Sequence, residues 1–390
     1  MYNLNNQHRV LFLGTLAMII TFMSWSSFGV LINDIGSIVS MSQAQQKILV
    51  AFPVLLGSLF RVPIGYLSDK YGGKKVYIAL LLLTLFPLFV LFFIFSYFHP
   101  TYHILLILSV FIGISGSSFS ISTAYVSDCF SEREQGKVLG IVGIGTVGNA
   151  VGAIILPIIA QYFHSVAVAF LFLIIATISF LILFVILADE RKLYQVNTNK
   201  KTEANQVLIL CILSLSCILS SGAFVTFSNL IPVLVGSSSA FHLNSILSGL
   251  LSALFSIFTV VSRPFGGELS DKYNPKFLLL FGLIFLCLCD MLLAITSSNL
   301  IAFTLFLLIY GLLIGLGNGF VFRLVALYFP NEIGVMSGVV AAMGSLGGFI
   351  FPIIFSILKT ASKGFIFMMI FSILTIVFTY MFFTRDNQID

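Results

Sequence analysis

The segment Arg61-Val-Pro-Ile-Gly-Tyr-Leu-Ser-Asp-Lys-Tyr71 decides the fold, because it occurs twice in the chain. Its second copy is Arg263-Pro-Phe-Gly-Gly-Glu-Leu-Ser-Asp-Lys-Tyr273, at a constant offset of 202 residues. The arginine, one glycine and the Leu-Ser-Asp-Lys-Tyr ending coincide in the two copies. Each copy closes a long apolar segment, and such a match between unrelated helices is improbable. The chain therefore consists of two related halves.

The composition is that of a membrane protein. Of 390 residues, 59% are hydrophobic and 8% are charged, and the mean hydropathy is +1.12. Soluble domains have about 45–50% apolar and about 25% charged residues, so most of this surface must face lipid. The net charge of +5 is spread over short clusters, which argues against nucleic-acid binding. The five cysteines show no metal spacing, so we expect no metal, no cofactor and no disulfide framework.

Hydropathy predicts twelve membrane spans, since a span needs about twenty mostly apolar residues. They are 10–32, 46–67, 76–98, 103–127, 137–162, 165–188, 207–235, 246–268, 276–297, 300–328, 334–358 and 362–384. The polar stretch 189–206 is interpreted as a cytoplasmic linker between an N-terminal half, 1–188, and a C-terminal half, 207–390. We therefore predict an all-α membrane protein whose twelve transmembrane helices form two pseudo-symmetric six-helix bundles.

Lysine and arginine predict the orientation of the chain in the membrane. With both termini in the cytoplasm, the inner side carries thirteen of these residues and the outer side carries only Lys47, Lys359 and Lys363. Positive charge concentrates on the cytoplasmic side of membrane proteins. We expect a multi-pass protein of the cell's inner (plasma) membrane, with both termini cytoplasmic.

The segment after each repeated arginine resembles the loop signature of the major facilitator superfamily. The first copy continues with two glycines, which Asn274 and Pro275 replace in the second. Parallel halves related by an axis along the membrane normal are typical of this superfamily. An aspartate at this place can accept hydrogen bonds from a helix N-terminus or pair with a base. The predicted conformational latch consists of Gly65, Asp69, Lys70, Asp271 and Lys272.

Arg61 and Arg263 lie about two helical turns inside their spans, where an arginine costs about 2.5–3.5 kcal/mol. Two of them at equivalent positions indicate a shared cavity. An anion between two guanidiniums relieves their repulsion, and a guanidinium matches a planar oxyanion with two parallel hydrogen bonds. In the alternative interpretation each arginine reaches the cytoplasmic surface or pairs with a carboxylate, for which Glu268 and Asp290 are the candidates.

The helices expected to line the cavity are spans one, four, seven and ten, and they carry no interior Asp or Glu. Proton-coupled carriers usually place a titratable carboxylate in the pathway. This pattern favours exchange against a counter-anion, or a coupling in which the anion itself carries the proton. Three phenylalanines of these helices are candidate lining residues, although a phenylalanine in a membrane helix is more often a packing residue: Phe119, Phe224 and Phe227.

Glycines recur at short spacing in spans five and eleven. Close helix packing explains part of this pattern. Flat glycine faces can also slide during a conformational change and expose backbone to a small ligand, so both interpretations stay open. The glycines concerned are Gly140, Gly143 and Gly148 in span five and Gly344 and Gly347 in span eleven.

Taken together, these segments resemble the nitrate/nitrite porter family of the major facilitator superfamily. The resemblance is carried by residues 57–65, 262–267, 136–152, 317–323 and 344–349, which are distributed along most of the chain. It implies that Arg61 and Arg263 grip the anion, that Phe119 stacks near it, and that the glycine-rich stretches 140–152 and 338–349 are nitrate signatures. The implied substrate-binding set is Arg61, Phe119, Thr146, Asn149, Arg263 and Ser345.

The sequence departs from the family pattern at three places. Thr146 stands where the family has a signature Asn, with Asn149 one turn later, and Cys217 and Ser221 stand where it usually has aromatic residues. The resemblance therefore implies anion binding more firmly than it implies nitrate specificity.

These observations predict an alternating-access transporter of a small inorganic oxyanion, nitrate or nitrite, and not an enzyme. We expect a monomer in the lipid bilayer that takes up or exchanges its anion. One alternative is a major facilitator porter for a small organic anion or an amino acid. Another, of a different class, is a membrane sensor with the same fold that binds without transporting.

Overall fold

The computed structural model describes residues 4–98, 100–188, 204–236 and 245–386, and these residues form helices and no strand. The α-helices are α1 (Leu4–Val30), α2 (Ile32–Ile38), α3 (Gln43–Tyr71), α4 (Gly73–Tyr97), α5 (Tyr102–Ile114), α6 (Ser118–Ser127), α7 (Gln135–Gly143), α8 (Gly148–Tyr162), α9 (Val166–Leu187), α10 (Ala204–Cys217), α11 (Ala223–Gly236), α12 (Ser245–Lys272), α13 (Pro275–Ile295), α14 (Leu300–Tyr328), α15 (Ile333–Leu358) and α16 (Ala361–Asp386).

The prediction of twelve spans is confirmed. Twelve helical segments in the described ranges are long and apolar enough to cross a membrane, and Leu300–Tyr328 has the bounds predicted from hydropathy. Most of the predicted linker, residues 189–203, lies outside the described residues, and α10 begins at Ala204.

Large aliphatic side chains cover much of the outer surface. Ile186 is 72% exposed, Ile301 is 83% exposed and Ile357 is 70% exposed. Exposed apolar surface on this scale is unfavourable in water and favourable in hydrocarbon. The surface is therefore built for contact with lipid.

Three spans are not continuous α-helices. Span four consists of α5 and α6 joined by the 3₁₀-helix Ser115–Ser117, and span five consists of α7 and α8 joined by the 3₁₀-helix Ile144–Val147. Span seven consists of α10 and α11 joined by the π-helix Ile218–Gly222. Such interruptions within a helix often mark functional sites, and hydropathy did not predict them.

The helix that follows each copy of the repeat begins with a different N-terminal structure. In the first copy Gly72 adopts a φ of 89°, a left-handed conformation that glycine tolerates. In the second copy the Asn274 side chain accepts a hydrogen bond from the Lys276 amide at 3.0 Å, and Pro275 occupies the first turn of α13. Proline favours that position because its missing N–H has no intrahelical partner there.

The described residues divide into two compact units. Unit 1 comprises the described residues within 1–130, 145–197 and 331–338, and unit 2 comprises those within 131–144, 198–330 and 339–390. Span five and span eleven each have one end in unit 1 and the other end in unit 2. The division into halves 1–188 and 207–390 stays a prediction.

Each unit has its own aromatic core. In unit 1 the Phe170 ring lies 5.7 Å from the Phe95 ring and 6.5 Å from the Phe28 ring. In unit 2 the Phe227 ring stacks on the Phe365 ring at 5.2 Å, and the side chain of Phe227 is fully buried. Phe227 is therefore a packing residue of this core, which is the more common role of a phenylalanine in a membrane helix.

Candidate functional site

Arg61 lies in α3 of unit 1 and is only 6% exposed. Its Nε donates a hydrogen bond to the Gly116 carbonyl oxygen at 3.3 Å. The guanidinium carbon lies 5.9 Å from the ring centres of both Trp25 and Phe119. Aromatic faces attract cations, and Phe119 lies beside Arg61; its stacking on the anion, which the family resemblance implies, stays a prediction.

Trp25 is fixed in a slot that glycines keep open. Its Nε1 donates to the Pro53 carbonyl oxygen at 2.8 Å. A Cβ atom at Gly57 or at Gly116 would come within 2.7 Å of that same Nε1. Any larger residue at either position would displace the indole, which in turn contacts Arg61.

The acceptor for Arg61 is a carbonyl in the 3₁₀-helix of span four. The flanking hydroxyls of Ser115 and Ser117 donate to backbone carbonyls three residues earlier, at 2.7 Å and 2.6 Å. Side-chain hydrogen bonds of this kind compete with the regular helix ladder. The serine-rich sequence therefore favours the interruption that presents the Gly116 carbonyl to Arg61.

Arg263 lies in α12 of unit 2 and is also 6% exposed. Its Nη1 donates to the Gly143 carbonyl oxygen at 3.0 Å, at the end of α7. The guanidinium carbon lies 5.1 Å from the centre of the Phe224 ring. In its own unit each repeated arginine thus contacts an aromatic ring and a glycine carbonyl, which lies in a 3₁₀-helix for Arg61 and directly before one for Arg263.

Glycines of span five allow the close approach of α7 to α12. A Cβ atom at Gly140 would lie 2.7 Å from the Arg263 carbonyl oxygen, and one at Gly143 would lie 3.3 Å from the Arg263 Cδ. In unit 1 a Cβ atom at Gly148 would collide with the Ile19 carbonyl group of α1. Close packing is therefore a real role of this glycine run.

The π-helix of span seven carries a polar cluster in unit 2. The Ser221 hydroxyl donates to the Asn318 Oδ1 at 2.5 Å, and the Cys217 thiol donates to the Ser221 oxygen at 3.4 Å. The glycines of span eleven cover this segment, because a Cβ atom at Gly344 would lie 2.7 Å from the Cys217 sulfur and one at Gly347 would lie 3.0 Å from the Ile218 oxygen. Cys217 and Ser221, two departures from the family pattern, thus belong to one hydrogen-bonded group with Asn318, which was not predicted as a site residue.

The remaining predicted binding residues lie in different surroundings. Thr146 is 9% exposed in the 3₁₀-helix of span five, and Asn149 follows in α8. The Ser345 hydroxyl is buried in α15 and donates to the Ala341 carbonyl oxygen of its own helix at 3.1 Å. Their contact with substrate stays a prediction.

Asp69, at the end of α3, accepts hydrogen bonds at the N-terminus of α15. The donors are the Gly334 and Val335 amides, at 3.0 Å and 2.8 Å. The dipole at a helix N-terminus favours a negative charge there. Gly65 lets the two backbones meet, since a Cβ atom at this position would collide with the Gly334 carbonyl.

Asp271 makes the equivalent contact in unit 2. It accepts from the Gly136 and Lys137 amides at the start of α7, at 2.8 Å and 2.7 Å. The Arg323 Nε also lies 2.9 Å from its Oδ1, which is close enough for an ion pair although that N–H does not point at the oxygen. Arg323 closes the segment 317–323 that carries part of the family resemblance, but its pairing with Asp271 was not predicted from the sequence.

The two lysines of the predicted latch do not join the aspartate contacts. The Lys70 ammonium lies over the Tyr66 and Tyr71 rings, at 5.7 Å and 5.2 Å. The Lys272 ammonium pairs with the Glu268 carboxylate at 2.8 Å. The aspartates, rather than the lysines, hold the helix termini.

The two carboxylates considered as partners for Arg263 contact other groups. Glu268 pairs with Lys272 and, at 3.7 Å, with Lys137. Asp290 is fully buried and accepts from the Ser372 hydroxyl at 3.0 Å. In the described part of the chain, pairing of Arg263 with either carboxylate is therefore not observed.

This fold and these contacts define a membrane transporter of the major facilitator type. The Major Facilitator Superfamily family model matches residues 14–352 and, in a second match, 213–388. The chain belongs to this superfamily. Among solved structures, the major facilitator proton:xylose symporter XylE is similar with a TM-score of 0.80 and 13% identity, over 98% of this chain and 96% of that chain. At this identity the likeness concerns the fold alone.

Two curated relatives are similar over most of their length. The nitrite extrusion protein of Bacillus subtilis (strain 168) is 33% identical over 356 residues, which cover 90% of this chain and 88% of that protein. The probable nitrate transporter NarT of Staphylococcus haemolyticus (strain JCSC1435) is 33% identical over 348 residues, which cover 88% of each chain. The family resemblance noted in the sequence is thereby confirmed.

Proposed function

We propose that this protein carries nitrate or nitrite across the membrane by alternating access, and that Arg61 and Arg263 both bind the anion. The observation that carries the proposal is the burial of both guanidiniums within membrane-spanning helices, at 6% exposure each. Relatives at 33% identity over most of the chain bear the names nitrite extrusion protein and probable nitrate transporter.

The chemistry of the guanidinium supports an oxyanion as the cargo. A buried cation is costly in the membrane, and a bound anion offsets that cost. The planar guanidinium donates two parallel hydrogen bonds to a planar oxyanion, which an ammonium group cannot do. The neighbouring carbonyl and aromatic groups limit the rotamers of each arginine, so less conformational entropy is lost on binding.

The aspartate contacts support a role in switching between conformations. Asp69 and Asp271 each hold a helix N-terminus by two backbone hydrogen bonds. We propose that these contacts form in one conformation of the transport cycle and break in the other, as local electrostatic contacts do in other switching proteins.

We propose exchange against a counter-anion, or symport with a proton, in the plasma membrane, with both termini in the cytoplasm. The distribution of lysine and arginine supports this orientation. The protein is proposed to act as a monomer with two six-helix halves.

Flux through purified protein in liposomes tests the function. Labelled nitrate and nitrite are supplied outside, with or without nitrite inside and with or without a pH gradient. We expect uptake of at least one of the two anions, and stimulation by internal nitrite if the protein exchanges anions. Competition by organic acids but not by nitrate would indicate an organic-anion carrier, whereas binding without flux would indicate a sensor.

A further inference from the structure

The Asn318 carboxamide in α14 is buried at 2% exposure and only one of its two polar atoms is used. Its Oδ1 accepts from the Ser221 hydroxyl at 2.5 Å, and the Ser220 hydroxyl lies 3.4 Å away. Its Nδ2 has no hydrogen-bond partner among the residues that the structure describes. A buried donor without a partner costs free energy, so its presence within a membrane span requires an explanation.

The neighbouring hydrogen bonds fix which end of the amide is used. The Ser220 hydroxyl donates its proton to the Ser216 carbonyl oxygen at 3.0 Å. The Ser221 oxygen receives the Cys217 thiol at 3.4 Å, so its own proton is available to Asn318. A donated hydroxyl proton requires the amide oxygen at that side, and the amide NH₂ then occupies the other side.

The backbone holds this arrangement in place. Ser220 and Ser221 belong to the π-helix Ile218–Gly222, and a π-helix turns successive side chains through a different angle than an α-helix does. Span eleven closes over the segment at glycines, because a Cβ atom at Gly344 would lie 2.9 Å from the Ser221 Cβ. The serines therefore have little freedom to release Asn318.

The same part of unit 2 contains the arginine of the site. Phe224, whose ring lies 5.1 Å from the Arg263 guanidinium carbon, follows Ser221 by three residues on the same span. Gly319, next to Asn318, approaches the Arg263 backbone so closely that a Cβ atom there would lie 2.7 Å from its carbonyl oxygen. Asn318, through Ser221, and Arg263, through Phe224, thus both contact span seven.

We infer that Asn318 is a specificity-determining residue, whose Nδ2 donates a hydrogen bond to an oxygen of the transported anion. The inference rests on the proposed function. Nitrate offers three oxygens and nitrite offers two. Two bidentate guanidiniums occupy four oxygen lone pairs, which are all that the two oxygens of nitrite offer, whereas the three oxygens of nitrate offer six. A neutral donor therefore gains more from nitrate than from nitrite. Asn318 therefore favours nitrate over nitrite, and Ser221 acts as its positioning residue.

The test measures the KM for nitrate and for nitrite in liposomes with the wild-type protein, Asn318→Ala, Ser221→Ala and the control Thr375→Ala. Thr375 is a buried hydroxyl of the same unit that bonds its own helix at 2.9 Å. Asn318→Ala is expected to raise the KM for nitrate about tenfold, which corresponds to about 1.4 kcal/mol. The KM for nitrite should rise less than about threefold, and Thr375→Ala should leave both values unchanged.

The ratio of the two KM values decides the matter, because a purely structural role of Asn318 would change flux or stability without changing that ratio. A ratio for Asn318→Ala within about twofold of the wild-type ratio would overturn the inference. If Asn318→Ala does not purify as a monodisperse protein, Ser221→Ala decides by the same criterion, with a smaller change in the same direction expected. A wild-type protein that moves neither anion refutes the proposed function instead.

Discussion

Replacing Arg61 by lysine tests the guanidinium geometry while keeping the positive charge. In the structure the Nε of Arg61 donates to the Gly116 carbonyl oxygen at 3.3 Å, and two aromatic rings flank the guanidinium with centres at 5.9 Å. A lysine has a methylene carbon instead of an N–H at the place of Nε, so the Gly116 carbonyl would no longer orient the cation. Its ammonium also donates from a single nitrogen rather than from a planar fork.

The size of the effect follows from the hydrogen bonds lost. A hydrogen bond to a charged group contributes about 1.5–3 kcal/mol, and lysine replaces two parallel contacts to the oxyanion by one. Since about 1.4 kcal/mol corresponds to a factor of ten, the KM for nitrate should rise about 10- to 100-fold. The long-range attraction of the charge stays, so transport is weakened rather than abolished at high substrate concentration.

Initial rates of nitrate uptake into liposomes, measured over a range of concentrations, give the KM of the variant. Arg133→Lys is the matched control, because it makes the same chemical change at an exposed residue. An Arg61→Lys protein with the KM and the maximal rate of the wild type would refute a role of the guanidinium in holding the anion.

Two further changes test the latch and the glycine packing. In Asp69→Asn both helix-terminal amides lose a charged acceptor and one of them has no acceptor left, so flux should fall several-fold. Lys70→Gln should change flux less than about twofold, because Lys70 is exposed. Equal effects of the two variants on flux would contradict the assignment. Gly140→Val places a Cβ atom 2.7 Å from the Arg263 carbonyl oxygen and should destabilise the protein by about 1–3 kcal/mol, seen as a lower Tm in detergent. Gly29→Ala is its control, since a Cβ atom there makes an ordinary contact at 3.4 Å, and equal Tm values for the two variants would argue against the close approach.

Hydropathy and the internal repeat were sufficient to predict the spans and the superfamily. The membrane leaves few choices, because every backbone polar group must be paired within a helix. The repeat also located Asp69 and Asp271, since an aspartate at the end of a span has a helix N-terminus as its natural partner. These features depend on residues that are close in sequence or identical in the two copies.

The interruptions of spans four, five and seven could not be predicted in the same way. A 3₁₀- or π-helix within a span depends on which distant group competes for a carbonyl oxygen. Gly116 offers its carbonyl to Arg61 across 55 residues of sequence, and Ser221 donates to Asn318 across 97 residues. Neither pairing leaves a periodic signal, although the serine-rich sequence near Gly116 could have suggested the first.

The two repeated segments are alike in sequence, but their arginines and aspartates contact different groups. Arg61 contacts a carbonyl of span four through Nε, whereas Arg263 contacts a carbonyl of span five through Nη1. Asp271 has Arg323 beside it, whereas the position equivalent to Arg323 at the repeat offset is Ile121. The cation of Arg323 favours the ionised form of the Asp271 carboxylate, and an ionised acceptor forms stronger hydrogen bonds. The Asp271 contact should therefore break less easily than the Asp69 contact. A symmetric fold thus carries an asymmetric site, in which selection of the anion depends on residues that the repeat does not share, such as Asn318.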